Sequence, residues 1–96
     1  MAIRLLLMIA IARFEVSLGH SANFRTELEA AKDALAECVG YIDGNIGQNL
    51  DEPSLWVLMT RWENVGSYRR ALSAMRSKLE AIPVLARAID EPGAYE

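Results

Sequence analysis

The amino-acid sequence predicts an α+β fold, a split β-α-β arrangement in which one antiparallel sheet carries helices on one face. Three observations carry this. Apolar residues alternate with period two in three stretches, and two stretches of period 3.6 lie after the first and the third of them. Hydrophobic residues make up 52% of only 96 residues, more than the thin core of one small domain can hide. Their order, strand then helix then two strands then helix, recurs as two halves sharing a sheet. A single domain over residues 1–96 is expected.

The first strand is expected over Ile3 to Val16. Met8, Ala10, Ala12, Phe14 and Val16 share one face; Leu7, Ile9, Ile11, Arg13 and Glu15 share the other. Both faces are apolar over most of the length, as in a strand covered on both sides. Arg4 and the run Leu5 to Ala12 also have the look of a short leader. The run passes directly into the alternation Arg13-Phe14-Glu15-Val16, so a strand is the reading taken. It falls far short of the ~20 residues that a membrane span needs.

Ser17 to Ser21 is a turn, with Ser21 the expected cap of a helix from Ala22 to Glu37. Phe24, Leu28, Ala31 and Leu35 form its buried stripe. The second strand is expected over Val39 to Gln48, with Tyr41, Asp43 and Asn45 on one face and Ile42 and Ile46 on the other. Gly44 and Gly47 suggest a bulge or bend. Asn49 to Pro53 collects turn-forming residues. The third strand, Leu55 to Glu63, places Trp56, Leu58, Thr60 and Trp62 in one row. Asn64 can cap a helix from Val65 to Leu79, with the stripe Val65, Tyr68, Leu72, Met75 and Leu79. Pro83 interrupts that pattern, so a short helix over Val84 to Ile89 is expected separately. Ala94 to Glu96 begins a last strand, cut short or exchanged with a partner. The result is a ferredoxin-like topology. Its outer sheet face, with Leu7, Ile9, Ile11, Val57 and Met59, is too apolar to stay bare, so a homodimer packed sheet on sheet is expected.

Charge and composition exclude several functions. The net charge is −3 and no basic stripe runs along the chain, which argues against nucleic-acid binding. One cysteine, Cys38, allows no intrachain disulfide and fits the cytoplasm. Cys38 and the single His20 cannot make a zinc site, so no metal is expected. His20 reads as a turn residue and Cys38 as an inert thiol.

The stretch Leu55-Trp56-Val57-Leu58-Met59-Thr60-Arg61-Trp62-Glu63-Asn64, followed by Tyr68 six residues after Trp62, resembles the antibiotic biosynthesis monooxygenase (ABM) family. Phe14-Glu15-Val16, Gly19-His20 before a helix bearing Phe24, and Gly40-Tyr41 extend the resemblance over nearly the whole chain. It implies a dimeric α/β barrel with a pocket in each subunit between sheet and helices. It also implies oxygenation of quinols or polyketide-derived phenols without a cofactor, or haem degradation in another branch. Two departures stand out. The haem-degrading branch has an Asn on strand one, where Ala12 stands, and a His on the second helix, where there is none. Quinol-oxygenating members that resemble polyketide-tailoring enzymes have an Asn four residues before the Trp, where this chain has Leu58.

Cofactor-free oxygenation needs an electron-rich anion in a dry pocket and donors for its developing charge. Trp62 and Tyr68 are the candidate catalytic residues, through an indole N–H and a phenol O–H. Ala12, Phe14, Asn45, Trp56, Leu58, Thr60, Leu72 and Met75 are the candidate substrate contacts, with Arg13 a possible helper better explained as an ion-pair partner. The expected ligand is a small aromatic molecule. Three readings stand: a cofactor-independent monooxygenase, a non-catalytic ligand-binding or accessory homodimer, and, more weakly, a haem binder.

Overall fold

A computed structural model describes residues 7–96. The expected strand residues Ile3 to Leu6, and the basic start of the leader-like run, lie outside the described residues. The elements are β1 (Met8–Glu15), α1 (Ser21–Ala36), β2 (Tyr41–Gln48), β3 (Leu55–Trp62), α2 (Val65–Leu72), α3 (Met75–Glu80), α4 (Ile82–Leu85) and β4 (Ala94–Tyr95). They form one antiparallel sheet in the order β2-β3-β1-β4, with the helices on one face. No helix among the described residues is long and apolar enough to cross a membrane.

Period-two patterning places the two central strands. Met8, Ala10 and Phe14 of β1 stand opposite Trp62, Thr60 and Trp56 of β3, and all six are buried. They meet the α1 stripe of Phe24, Leu28, Ala31 and Leu35, also buried. The outward row stays half-exposed: Ile9 and Ile11 each keep 37% of their surface.

Several local expectations give way. Ser21 begins α1 instead of capping it; a 3-10 turn over Leu18–His20 precedes the helix, and Ser17 Oγ meets His20 Nδ1 at 2.7 Å. In β2 the irregularity lies between Tyr41 and Asp43, not at Gly44 or Gly47. One extra residue turns Tyr41 inward opposite Trp62, while Asp43 and Asn45 point outward opposite Arg61 and Met59. The turn before β2 depends on Gly40, whose φ of 93° suits a residue without Cβ and which packs closely on Ser67.

The predicted second helix is two helices. Asn64 caps α2 as expected, its Oδ1 accepting from the Ser67 N–H at 2.8 Å. The chain then leaves helical geometry at Ala74 (ψ 145°) and restarts as α3. The restart changes the phase of the buried stripe. Ser77 and Ala81 become fully buried, while Met75 and Leu79 are 72% and 70% exposed. Arg76 holds the new turn on the surface, pairing with Glu37 and donating to Glu80 Oε2 at 2.6 Å. α4 starts two residues earlier than expected, with Pro83 in its first turn, where a missing N–H leaves nothing unpaired.

The chain end lies along its own β1. Ile89 N–H donates to Arg13 O (2.8 Å), Ile11 N–H donates to Gly93 O (2.6 Å), and Ile9 and Ala10 pair with Tyr95 and Ala94. Residues 89–95 therefore form a strap along the sheet edge.

Candidate active site

Between the inner sheet face and the helices lies a cavity of about 270 Å³. Its floor is sheet: Ala10 and Ala12 of β1 and Leu58 and Thr60 of β3. Tyr68 of α2, Leu35 of α1 and Leu85 of α4 form the helical side. The strap adds a further wall with Ile89, Glu91, Gly93 and Ala94, and the cavity stays open to solvent on one side. Small residues on β1, Ala10 and Ala12, leave the space opposite Thr60 and Leu58.

Few polar groups reach this cavity. Thr60 is 2% exposed, and its Oγ1 accepts from the Trp62 indole N–H at 2.9 Å. Tyr68 is half-buried, and no hydrogen bond of its hydroxyl is found among the described residues. Burial pushes its phenol above the usual tyrosine range, so the O–H is kept at neutral pH. Glu91 is tied by both carboxylate oxygens to Arg13, at 2.7 and 2.9 Å. The Arg13 hydrogen bond and charge hold Glu91 below the usual carboxylate range, which makes it a weak base.

Three of the expected substrate contacts, Ala12, Leu58 and Thr60, meet at this cavity with one of the two expected catalytic residues, Tyr68. Trp62 does not line it. It is fully buried behind Thr60, with Tyr41 edge-on at 5.3 Å and the Tyr68 ring centroid at 5.6 Å. Phe14 and Trp56 pack instead on Phe24, with centroids at 5.1 and 5.7 Å, in the part of the core away from the cavity. Leu72 is half-buried against the core and not in the cavity wall. Met75 is exposed because the helix restarts before it, and the β2 bulge turns Asn45 to the outer face. Arg13 is an ion-pair partner, as expected. Cys38 donates to Ala34 O at 3.6 Å and touches Ser77 Oγ. Among the described residues, no three His, Cys, Asp or Glu side chains gather as a metal site needs. None of the strap residues lining the cavity, Ile89, Glu91, Gly93 and Ala94, is among the contacts expected from the sequence. The sequence signals for polar groups at the site are Thr60, in an otherwise apolar inward row, and Tyr68, on the stripe of the second helix.

The antibiotic biosynthesis monooxygenase family model matches residues 7–78, three quarters of the chain. The chain belongs to the antibiotic biosynthesis monooxygenase family. That span includes the cavity floor, α1 and Tyr68, and stops before the strap. Among solved structures, the ABM chain is similar to SnoaB, a cofactor-independent oxygenase from Streptomyces nogalater, with 21% identity and a TM-score of 0.80 over 94% of this chain and 91% of that one. It is likewise similar to a conserved protein from Methanosarcina mazei Go1, with 19% identity and a TM-score of 0.79 over 96% and 93%. At these identities the likeness establishes the fold. No curated protein matches the chain.

Proposed function

We propose that this ABM protein is a cofactor-independent monooxygenase that turns a phenol or hydroquinone of aromatic polyketide type into a quinone. The observation carrying this reading is a small apolar cavity with two hydroxyl donors, Thr60 and Tyr68, on its walls. An electron-rich phenolate reacts with oxygen without help from a metal. The pocket's tasks are to keep water out and to hold the anion. A ring C–H and the phenol O–H supply two hydrogens; one oxygen atom stays as a new carbonyl and the other leaves as water. Tyr68, held protonated, donates to the anion. Glu91 is clamped by Arg13, so deprotonation relies on the acidity of the substrate. SnoaB, similar in fold, is described as a cofactor-independent oxygenase.

Oxygen uptake with a panel of hydroquinones and polycyclic phenols tests the reading. Uptake that falls at least tenfold in Tyr68→Phe supports it; no uptake across the panel refutes it. The absence of an unclamped base among the cavity residues favours a second reading, a ligand-binding accessory protein. In that case aromatics raise the melting temperature without turnover. Either way a second copy covers the outer sheet face around Ile9, Ile11, Val57 and Met59, and a cytoplasmic setting keeps Cys38 reduced. Sedimentation of Ile11→Lys, monomeric where the parent is dimeric, checks the interface.

A further inference from the structure

The geometry points to a two-hydroxyl clamp, in which Thr60 and Tyr68 together grip a carbonyl or phenolate oxygen of the ligand and Trp62 is a positioning residue that acts through Thr60. This rests on reading the cavity as the ligand site. It differs from the sequence expectation, in which Trp62 itself touched the substrate.

The inference starts from hydrogen-bond inventory. A hydroxyl has one hydrogen to give and two lone pairs to offer. The Trp62 N–H occupies one lone pair of Thr60 Oγ1 at 2.9 Å, and an indole nitrogen accepts nothing in return. The Thr60 hydrogen must therefore point elsewhere. No acceptor for it is found among the described residues, although Thr60 is 2% exposed and lines the cavity. A buried donor left unpaired is costly, and a ligand oxygen in the cavity removes that cost. The chain Trp62 N–H to Thr60 O–H to ligand oxygen also polarises itself, each bond strengthening the next. Trp62 cannot swing away. It is fully buried between Tyr41 and Tyr68, the two rings centred 5.3 and 5.6 Å from it. Tyr68 brings a second uncommitted donor to the same cavity. Two donors and one clamped acceptor, Glu91, favour a ligand whose buried end is an oxygen acceptor, and an anionic oxygen above a neutral one.

The test uses 4-nitrophenol, whose phenol and phenolate forms differ in colour. Its affinity is measured across pH for the intact protein and four variants, each checked by thermal melting. The intact protein should bind the phenolate in preference to the phenol. Thr60→Val should reduce that preference roughly 10- to 100-fold, the loss of one hydrogen bond to a charged oxygen, and Thr60→Ser should restore it. Trp62→Phe should reduce it partially, and the double variant should be no worse than Thr60→Val alone. If Thr60→Val does not fold, Thr60→Ala carries the same comparison. Equal binding of phenol and phenolate by the intact protein overturns the proposal, as does full preference in Thr60→Val. Additive losses in the double variant overturn the positioning role of Trp62. An intact phenolate preference without oxygen uptake by any phenol leaves the clamp standing and removes only the oxygenase reading.

Discussion

Replacing Gly93 with alanine should loosen the cavity wall while leaving the rest of the sheet in place. A Cβ at residue 93 would lie closer than 3.0 Å to the backbone oxygen of Ile11. That oxygen cannot yield, because β1 is fixed between β3 and β4. The strap must move instead. Moving it breaks the 2.6 Å bond from Ile11 N–H to Gly93 O and strains the two-residue pairing of β4 beside it. One backbone hydrogen bond contributes about 1 kcal/mol net, and loss of the neighbouring pairs brings the total to about 2 kcal/mol. For a domain of this size that lowers Tm by roughly 8–16 °C if the strap unfolds with the rest, at about 4–8 °C per kcal/mol. If the strap opens by itself, Tm hardly moves and amide exchange at Ile11 speeds up, about tenfold for each 1.4 kcal/mol. Amide exchange resolved to single residues, paired with calorimetry, separates the two cases. A Gly93→Ala protein with both Tm and Ile11 exchange unchanged would refute the strap as a structural wall.

Other consequences are smaller and equally checkable. Asn64→Ala removes the acceptor for the Ser67 N–H and should cost about 1 kcal/mol by urea denaturation, with Asn64→Asp recovering most of it; an unchanged midpoint would discard the cap. Trp56 Nε1 is buried without a partner among the described residues, so Trp56→Phe forfeits no hydrogen bond. It should destabilise less than Trp62→Phe, which strands Thr60; the reverse order in denaturant titrations would count against this pairing. Acid should weaken the fold through Glu91 and Asp43, whose carboxyls are held low by hydrogen bonds from Arg13 and Arg61. Their pKa values are lower folded than unfolded, so their contribution is complete above the unfolded range of about 4 and fades as pH falls through the folded values. Melting followed from pH 6 to pH 3 should decline at the acid end, less steeply in Glu91→Gln; equal slopes would exclude the Arg13 clamp.

The parts of this molecule legible in the sequence are those where one rule dominates. Along β3, strict alternation leaves Trp56, Leu58, Thr60 and Trp62 buried and their neighbours half-buried, because a strand with one covered face permits no other register. The α1 stripe follows for the same reason. Where two rules compete, periodicity misleads. Ser73 and Ala74 carry no helix-breaking signature, yet the chain turns there so that small Ser77 and Ala81 can pack close, leaving Met75 in water. The β2 bulge changes the parity of every residue after Tyr41, which sent Asn45 outward. The strap is held by backbone hydrogen bonds over residues that read as turn formers, so the cavity floor was visible beforehand and its far wall was not.

The position of Thr60 has a consequence for how a ligand lies. The family resemblance implies a polar residue four positions before the tryptophan, where this chain has Leu58. Here the hydroxyl stands two positions before it, in the same inward row of β3. Two residues of strand advance about 7 Å, so the proposed Thr60 clamp puts the oxygen-holding point that far from the Leu58 position, toward Trp62 and Tyr68. Leu58 and Ala12, paired across the strands, turn the vacated position into an apolar floor. If Thr60 grips a ligand as proposed, the ring system should lie over Leu58 and Ala12 toward the strap, with its oxygen at the aromatic end. A ligand needing a second polar anchor near Leu58 would find none there, so compounds with a single acceptor edge and an otherwise bare aromatic body should bind best.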